Sequence, residues 1–198
     1  NFNREEADLT KSLVHPYVPR FPRHVSYDLV LFGSWRRKGV YVGEKQIASP
    51  GSYPVAGFNF APMYNLNYKL RFGVSLDGVY DGSANVYTED ALVEYDAGSG
   101  SSRRKFLVPG IQNQLALGLS GRAEYVMPFF TIGVGLGTNV LGRGDLRGLY
   151  QVFALKINVT RSSFLHIGYN LQDFQTPNYL MLGLGFRFNN KYPNCLLY

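Results

Sequence analysis

Residues 179–188 read YLMLGLGFRF, a stretch in which large apolar residues alternate with small or polar ones. The even positions carry the large apolar side chains, which are Leu180, Leu182, Leu184, Phe186 and Phe188. The odd positions from 181 to 187 carry a methionine, two glycines and an arginine. Because successive side chains of a strand point to opposite faces, this period of two predicts a β-strand with one apolar face.

The same alternation recurs upstream in seven further stretches. They begin near His24, Tyr53, Tyr68, Gln112, Phe130, Gly148 and Phe164. The connections between them are alternately very short and longer, and the two longest span about residues 34–52 and 82–109. Bacterial outer-membrane barrels combine short periplasmic turns with longer outside loops. We therefore predict an all-β protein, an eight-stranded antiparallel up-and-down transmembrane β-barrel.

The chain divides into three segments on the same evidence. Residues 1–23 are predicted to be a periplasmic N-terminal arm, because three prolines between positions 16 and 22 prevent regular strand pairing. Residues 24–188 form the predicted outer-membrane barrel, and residues 189–198 a periplasmic C-terminal tail. An even number of strands returns the chain to the side where it started, so both termini are expected in the periplasm of a Gram-negative bacterium.

The composition fits a chain with much of its surface away from water. Charged residues make up 17% of the 198 residues, against roughly 25% in an average soluble domain. No run of about 18 apolar residues occurs, which excludes a membrane-spanning helix. The net charge of +6 comes from dispersed basic residues, a pattern that does not favour nucleic acid as a partner and leaves lipid phosphates as the expected anions.

The polar face of the strands is predicted to line the lumen. It carries glycines in succession at positions 133, 135 and 137, and small residues suit the crowded interior of a narrow barrel. The charged residues of this face are Asp28, Lys69, Arg71, Asp77, Arg122, Glu124, Lys156 and Arg187. Unpaired, each would cost several kcal/mol on desolvation, so we expect them to pair across the lumen. A soluble lipocalin-like barrel, with its apolar face inward, stays open as an alternative.

The segment from Phe164 through His166 and Gly168 to Phe188 resembles the last hairpin of the outer-membrane lipid A 3-O-deacylases, the PagL-like acyloxyacyl hydrolases. The resemblance implies an eight-stranded barrel whose catalytic His and Ser, two residues apart, work with a Glu on the next strand in nucleophilic ester hydrolysis. His166 matches the His and is the candidate catalytic residue.

The other two family positions are not matched. The Ser position is Gly168, and the Glu position falls near Leu180. A glycine cannot attack an ester, and a leucine cannot orient an imidazole, so the family mechanism cannot run from these positions. Strand parity also puts His166 on the predicted lumen face, whereas the family is expected to meet membrane lipid at its outer wall.

Partners are expected at the loops and at the ends of the chain. The basic run Arg36, Arg37 and Lys38 is a candidate contact for lipopolysaccharide phosphates. Loop 82–109 and both termini exceed what closing a barrel requires, so they are the expected contacts for other outer-membrane or periplasmic proteins. The three histidines are scattered and Cys195 is single, so no metal site, disulfide or cofactor is predicted.

We therefore predict an integral outer-membrane barrel that serves as a non-catalytic structural or accessory subunit. The first alternative is a lipid A deacylase or esterase acting on lipopolysaccharide through other residues. The second alternative is the soluble, lipocalin-like ligand-binding barrel.

Overall fold

A computed structural model describes residues 21–37, 39–42, 45–48, 52–85, 87–95, 102–107, 110–174 and 176–192. Within these ranges the strands are β1 (His24–Arg36), β2 (Gly39–Val42), β3 (Lys45–Ala48), β4 (Tyr53–Asn65), β5 (Leu70–Asp81), β6 (Tyr87–Tyr95), β7 (Ser102–Leu107), β8 (Leu115–Val126), β9 (Phe130–Leu141), β10 (Leu149–Asn158), β11 (Ser163–Gln172) and β12 (Thr176–Phe188). Two short 3-10 turns, Ile111–Asn113 and Gly144–Leu146, lie in the connections before β8 and β10. No helix among the described residues has the length and apolar character that a membrane span would need.

The long strands close into one barrel. The order around it is β1-β12-β11-β10-β9-β8-β5-β4, and β4 pairs with β1 to complete the circle. Each neighbouring pair is antiparallel. This confirms the prediction of an all-β, eight-stranded, antiparallel up-and-down barrel. Such closure leaves no unpaired strand edge.

Side chains on each barrel strand alternate between the lumen and the outer wall. In β8, which reads LALGLSGRAEYV, Leu119 is 53% exposed on the outside and Glu124 is 4% exposed on the inside. The same alternation in β1 buries Asp28 and exposes Leu31. The leucine face therefore points outward, as predicted, and the lumen is polar. A lipocalin-like barrel would need the reverse arrangement.

One end of the barrel carries the short turns, and Asn67 shapes the first of them. Its Oδ1 atom accepts hydrogen bonds from the backbone N–H groups of Lys69 and Leu70, both at 2.8 Å. These bonds end the turn at Leu70, so β5 begins two residues later than predicted. Tyr68 and Lys69 belong to this exposed turn and not to the strand.

Both described ends of the chain lie beside these short turns. Phe21 and Tyr192 pack with Val126 of β8 in a small apolar cluster. The Tyr192 hydroxyl donates a hydrogen bond of 3.1 Å to the Asn67 carbonyl oxygen. This cluster covers the short-turn end of the lumen. The predicted arm and tail lie largely outside the described residues.

The other end of the barrel carries the longer connections. The predicted loop 34–52 is shorter than expected because β1 continues to Arg36, and a two-stranded sheet of β2 and β3 occupies its middle. The predicted loop 82–109 contains a second two-stranded sheet, β6 with β7. The last connection, between β11 and β12, is short, and Asp173 and Phe174 adopt positive φ angles of 51° and 60° there.

Candidate functional site

Five charged side chains fill the half of the lumen nearer the short turns, and we call them the lower cluster. Its members are Asp28, Arg71, Glu124, Lys156 and Arg187. Asp28 is 1% exposed and accepts from Lys156 Nζ at 2.8 Å and from Arg187 Nε at 3.0 Å. Arg71 bridges the two carboxylates, with its Nε 2.7 Å from Glu124 Oε2 and its terminal nitrogens on Asp28.

A second polar group lies above the lower cluster, toward the long loops. Arg122 Nη2 is 2.8 Å from Asp77 Oδ1. Asp77 also accepts hydrogen bonds from four uncharged side chains, which are Asn59, Ser75, Ser120 and Tyr150. Asp77 is therefore saturated with donors and offers no free acceptor for chemistry.

A small cavity of about 30 Å³, large enough for water, lies at the long-loop end of the lumen, above Asp77. Amide side chains dominate its polar wall, which includes Asn59, Asn139, Asn170, Gln172 and Asn178. The stacked rings of Phe32 and Tyr179, 6.2 Å apart, belong to its apolar side. Neutral amides can hold water, but they are neither nucleophiles nor general bases.

Most of the predicted lumen charges meet in these two groups. Asp28, Arg71, Glu124, Lys156 and Arg187 form the lower cluster, and Asp77 pairs with Arg122. Lys69 is the exception, because the Asn67 turn holds it outside the lumen with its side chain exposed. The alternation of a strand predicts Lys69 on the lumen face, but that alternation does not apply in a turn.

His166 lies inside the barrel on β11, opposite Lys156 of β10 and Gly183 of β12. It is 1% exposed. Neither ring nitrogen has a hydrogen-bond partner among the described residues. A lipid at the outer wall has no access to this imidazole, which also lacks the acceptor that would orient it as a base.

The two other family positions lie on opposite sides of the barrel wall. A Cβ atom added to Gly168 would come within 2.8 Å of His166 Nε2, so position 168 adjoins the imidazole inside the lumen. Leu180 of β12 is 45% exposed on the outer wall. A carboxylate at position 180 would therefore be separated from His166 by the sheet itself.

The structure describes two of the three predicted contacts for lipid phosphate. Arg36 turns into the mouth of the lumen, where its Nη1 is 2.9 Å from Asp81 Oδ2 and donates to Asn178. Its charge is thus paired with a carboxylate, and its contact with lipid phosphate stays a prediction. Arg37 is exposed, and Lys38 lies outside the described residues.

Metal binding finds no support in the part of the chain that the structure describes. No group of three or more His, Cys, Asp or Glu side chains there could hold a metal ion. The carboxylates of the lower cluster are committed to arginine and lysine partners.

Gln151 is an outer-wall residue that the sequence did not mark as part of a candidate site. Gln151 of β10 occupies an outward position between Leu149 and Phe153, yet it is 4% exposed. The available signal was its polarity, because it interrupts a run of apolar outward residues on that strand. Its neighbours on the wall depend on the register between strands, which the sequence does not specify.

Comparisons with known proteins give one family match and two similar solved structures. The model of a family described as the C-terminal domain of acyloxyacyl hydrolase, PagL_C, matches residues 25–190. A crystal structure of Ail, the attachment invasion locus protein of Yersinia pestis, in complex with the heparin analogue sucrose octasulfate is 14% identical, with a TM-score of 0.41 over 85% of this chain and 100% of that chain. A second crystal structure of Ail is also 14% identical, with a TM-score of 0.44 over 84% of this chain and 100% of that chain. No curated protein matches the chain.

Proposed function

We propose that this chain, which belongs to the family of acyloxyacyl hydrolase C-terminal domains, is an outer-membrane barrel that contacts lipopolysaccharide. It does not hydrolyse the acyl esters of that lipid at His166, the position of the family's histidine. In this role it acts as a structural or accessory subunit. Both of its termini lie in the periplasm, and the long loops face outward.

The outer wall supports insertion into a membrane. Large apolar side chains on it remain half exposed, such as Leu31 at 53%, Leu136 at 51% and Leu184 at 55%. Among the described outward positions of the eight barrel strands there is no Asp, Glu, Lys or Arg. An apolar belt of this extent is rare on a soluble monomer and is the usual exterior of a transmembrane barrel.

The length and closure of the strands support the same conclusion. Strands β1, β4 and β12 have 13 residues each, more than the roughly 9 to 11 that a tilted strand needs to cross a bilayer. A closed barrel satisfies its backbone hydrogen bonds internally, as hydrocarbon requires.

The observation that carries the non-hydrolytic role is the position of His166. This side chain lies in the lumen, while an acyl ester of membrane lipid meets the opposite face of the wall. The adjoining Gly168 supplies no nucleophile. The charged side chains around His166 stabilise the folded barrel, so this part of the lumen has a structural role.

The test is mass spectrometry of lipid A after incubation with the purified barrel in detergent. We expect the wild type, His166→Ala and the outward control Ile167→Ala all to leave every acyl chain in place. Loss of a chain with the wild type that His166→Ala abolishes and Ile167→Ala retains would assign the family reaction to His166. That result would overturn the proposal.

The second candidate is an ester hydrolase that uses other residues, and the family match over residues 25–190 favours it. The same assay separates it. Release of an acyl chain by the wild type and by His166→Ala alike would establish hydrolysis without His166, and it would replace the accessory role.

Loop 82–109 and the two termini are the proposed contacts with other outer-membrane or periplasmic proteins. The β6–β7 sheet supports this, because it extends beyond the strands that close the barrel. A pull-down from native membranes with the full chain, compared with a variant whose residues 87–107 are replaced by a short Gly-Ser linker, tests it. We expect a specific co-purifying protein to be lost from the variant, and unchanged recovery would contradict this role of the loop.

A further inference from the structure

A groove of about 530 Å³ crosses the outer wall over β5, β8, β9 and β10. Its floor contains the small outward residues Gly121 and Ala123 of β8. Phe72 of β5 and Val134 of β9 lie on either side of this floor. Small residues between large ones leave a depression in the apolar belt.

Gln151 lies at the end of the groove nearer the long loops. Its Oε1 accepts a hydrogen bond of 2.9 Å from the backbone N–H of Phe174, which lines the same end. Its Nε2 is buried and has no hydrogen-bond partner among the described residues. A buried donor without an acceptor is costly, so an acceptor supplied by a ligand would stabilise this site.

A positively charged residue, Arg147, precedes β10 by two residues at the long-loop end of the barrel. Arg147 is exposed, and its carbonyl oxygen accepts a hydrogen bond of 3.0 Å from Gln172 Nε2. The backbone N–H of Asp173 bonds to the Leu149 carbonyl oxygen at 3.1 Å, which holds the segment leading to Phe174 against this strand. Arg147 forms no ion pair with any side chain that the structure describes.

We propose that this groove binds a phospholipid. One acyl chain lies over Gly121 and Ala123, the ester carbonyl of that chain accepts a hydrogen bond from Gln151 Nε2, and the phosphate pairs with Arg147. The inference rests on the membrane insertion of the proposed function. Because Nε2 is enclosed, the proposed bond requires the groove to open at this end, which Phe174, 67% exposed, lines.

The number of polar groups favours a phospholipid over lipid A. The groove offers one amide donor, Gln151 Nε2, and one exposed cation, Arg147, precedes the same strand at the long-loop end. A glycerophospholipid presents an acyl ester and a phosphate on the same glycerol, in the same order along the membrane normal. Lipid A distributes its phosphates and acyl chains over two sugars, so one narrow groove matches it less well.

The chain offers a matched pair of variants for the test. A Cβ atom at Gly121 would have its nearest neighbour, the Leu136 carbonyl oxygen, at 4.0 Å, and one at Gly33 on the far side of the barrel would meet the Val55 carbonyl oxygen at 3.9 Å. A Cβ atom therefore meets no clash at either position. Gly121→Leu fills the groove, whereas Gly33→Leu adds the same side chain to the wall outside it.

The experiment is native mass spectrometry of the full chain in detergent with phosphatidylglycerol as the probe, after each variant has been shown to insert into liposomes. We expect the wild type and Gly33→Leu to retain one lipid with equal affinity. Gly121→Leu should bind about tenfold more weakly or worse, because the acyl chain loses its burial. Gln151→Met should lose about two- to tenfold, the contribution of one neutral hydrogen bond.

Three outcomes would overturn the inference. The first is equal binding by Gly121→Leu and Gly33→Leu, with Gln151→Met also unchanged. The second is retention of lipid A that phosphatidylglycerol does not displace, which would make lipid A the occupant. The third is absence of any retained lipid in a wild type that inserts normally, whereas a wild type that fails to insert would instead refute the proposed function.

Discussion

Replacing Asp28 with asparagine should destabilise the barrel strongly, because this carboxylate joins three cations in the lumen. It bonds to Arg71, Lys156 and Arg187, and it is 1% exposed. Breaking a buried ion pair by removing one partner typically costs about 3 to 5 kcal/mol, since the remaining charge is left uncompensated. We expect Asp28→Asn to lower the free energy of unfolding by about that amount.

The charge balance of the lower cluster sharpens this expectation. The cluster holds three cations, Arg71, Lys156 and Arg187, against the carboxylates of Asp28 and Glu124. Asp28→Asn leaves Glu124 alone with all three. Lys156→Met leaves two cations with two carboxylates, a balanced set, so its loss should be smaller, about 1 to 3 kcal/mol.

Urea unfolding in detergent micelles, followed by far-ultraviolet circular dichroism and extrapolated linearly to zero urea, measures both changes. Lys69→Ala is the control, because this exposed turn residue lies outside the network, and its effect should stay within about 0.5 kcal/mol. An Asp28→Asn loss equal to that of the control, or smaller than that of Lys156→Met, would refute the role assigned to the network.

Two further predictions use the same unfolding assay. Gly185→Val should lower the free energy of unfolding by about 1 to 3 kcal/mol through overpacking, because a Cβ at position 185 would lie 2.1 Å from the Phe164 ring. The control Gly33→Ala, on the open wall, should be nearly neutral. Equal losses for the two variants would contradict close packing of Gly185 against Phe164. Burial raises the pKa of Tyr192 above its usual 10.0, so the folded chain keeps this proton to higher pH than the unfolded chain and loses stability as the pH rises above 10.0. Tyr192→Phe should remove that part of the alkaline loss, and an unchanged pH slope would argue against it.

The barrel was predictable from the sequence because local alternation determines which face each residue occupies. Once glycines and charges shared one face, the positions of Asp28 and His166 inside the lumen followed from parity alone. The alternation fails where a side chain redirects the backbone. Asn67 closes a turn around Lys69, and no pattern of apolar residues marks that hydrogen bond.

Contacts between distant strands were harder to predict, since they depend on register and on where each strand ends. Arg36 pairs with Asp81 because β1 extends beyond Gly33 and reaches the end of β5 across β4. The groove beside Gln151 likewise requires Gly121, Leu136 and Gln151 to lie side by side in three strands. Neither pairing has a signal within a single strand.

The central claim is that β11 presents His166 to the lumen and its neighbours to lipid. Nitroxide labels at Leu165, Ile167 and Tyr169, each introduced as a single cysteine in a Cys195→Ser background, test this in liposomes by electron paramagnetic resonance. We expect all three labels to collide readily with oxygen and poorly with a water-soluble nickel complex. Ready collision with the nickel complex at all three positions would mean that these residues face water and that His166 faces the membrane. That result would contradict the account.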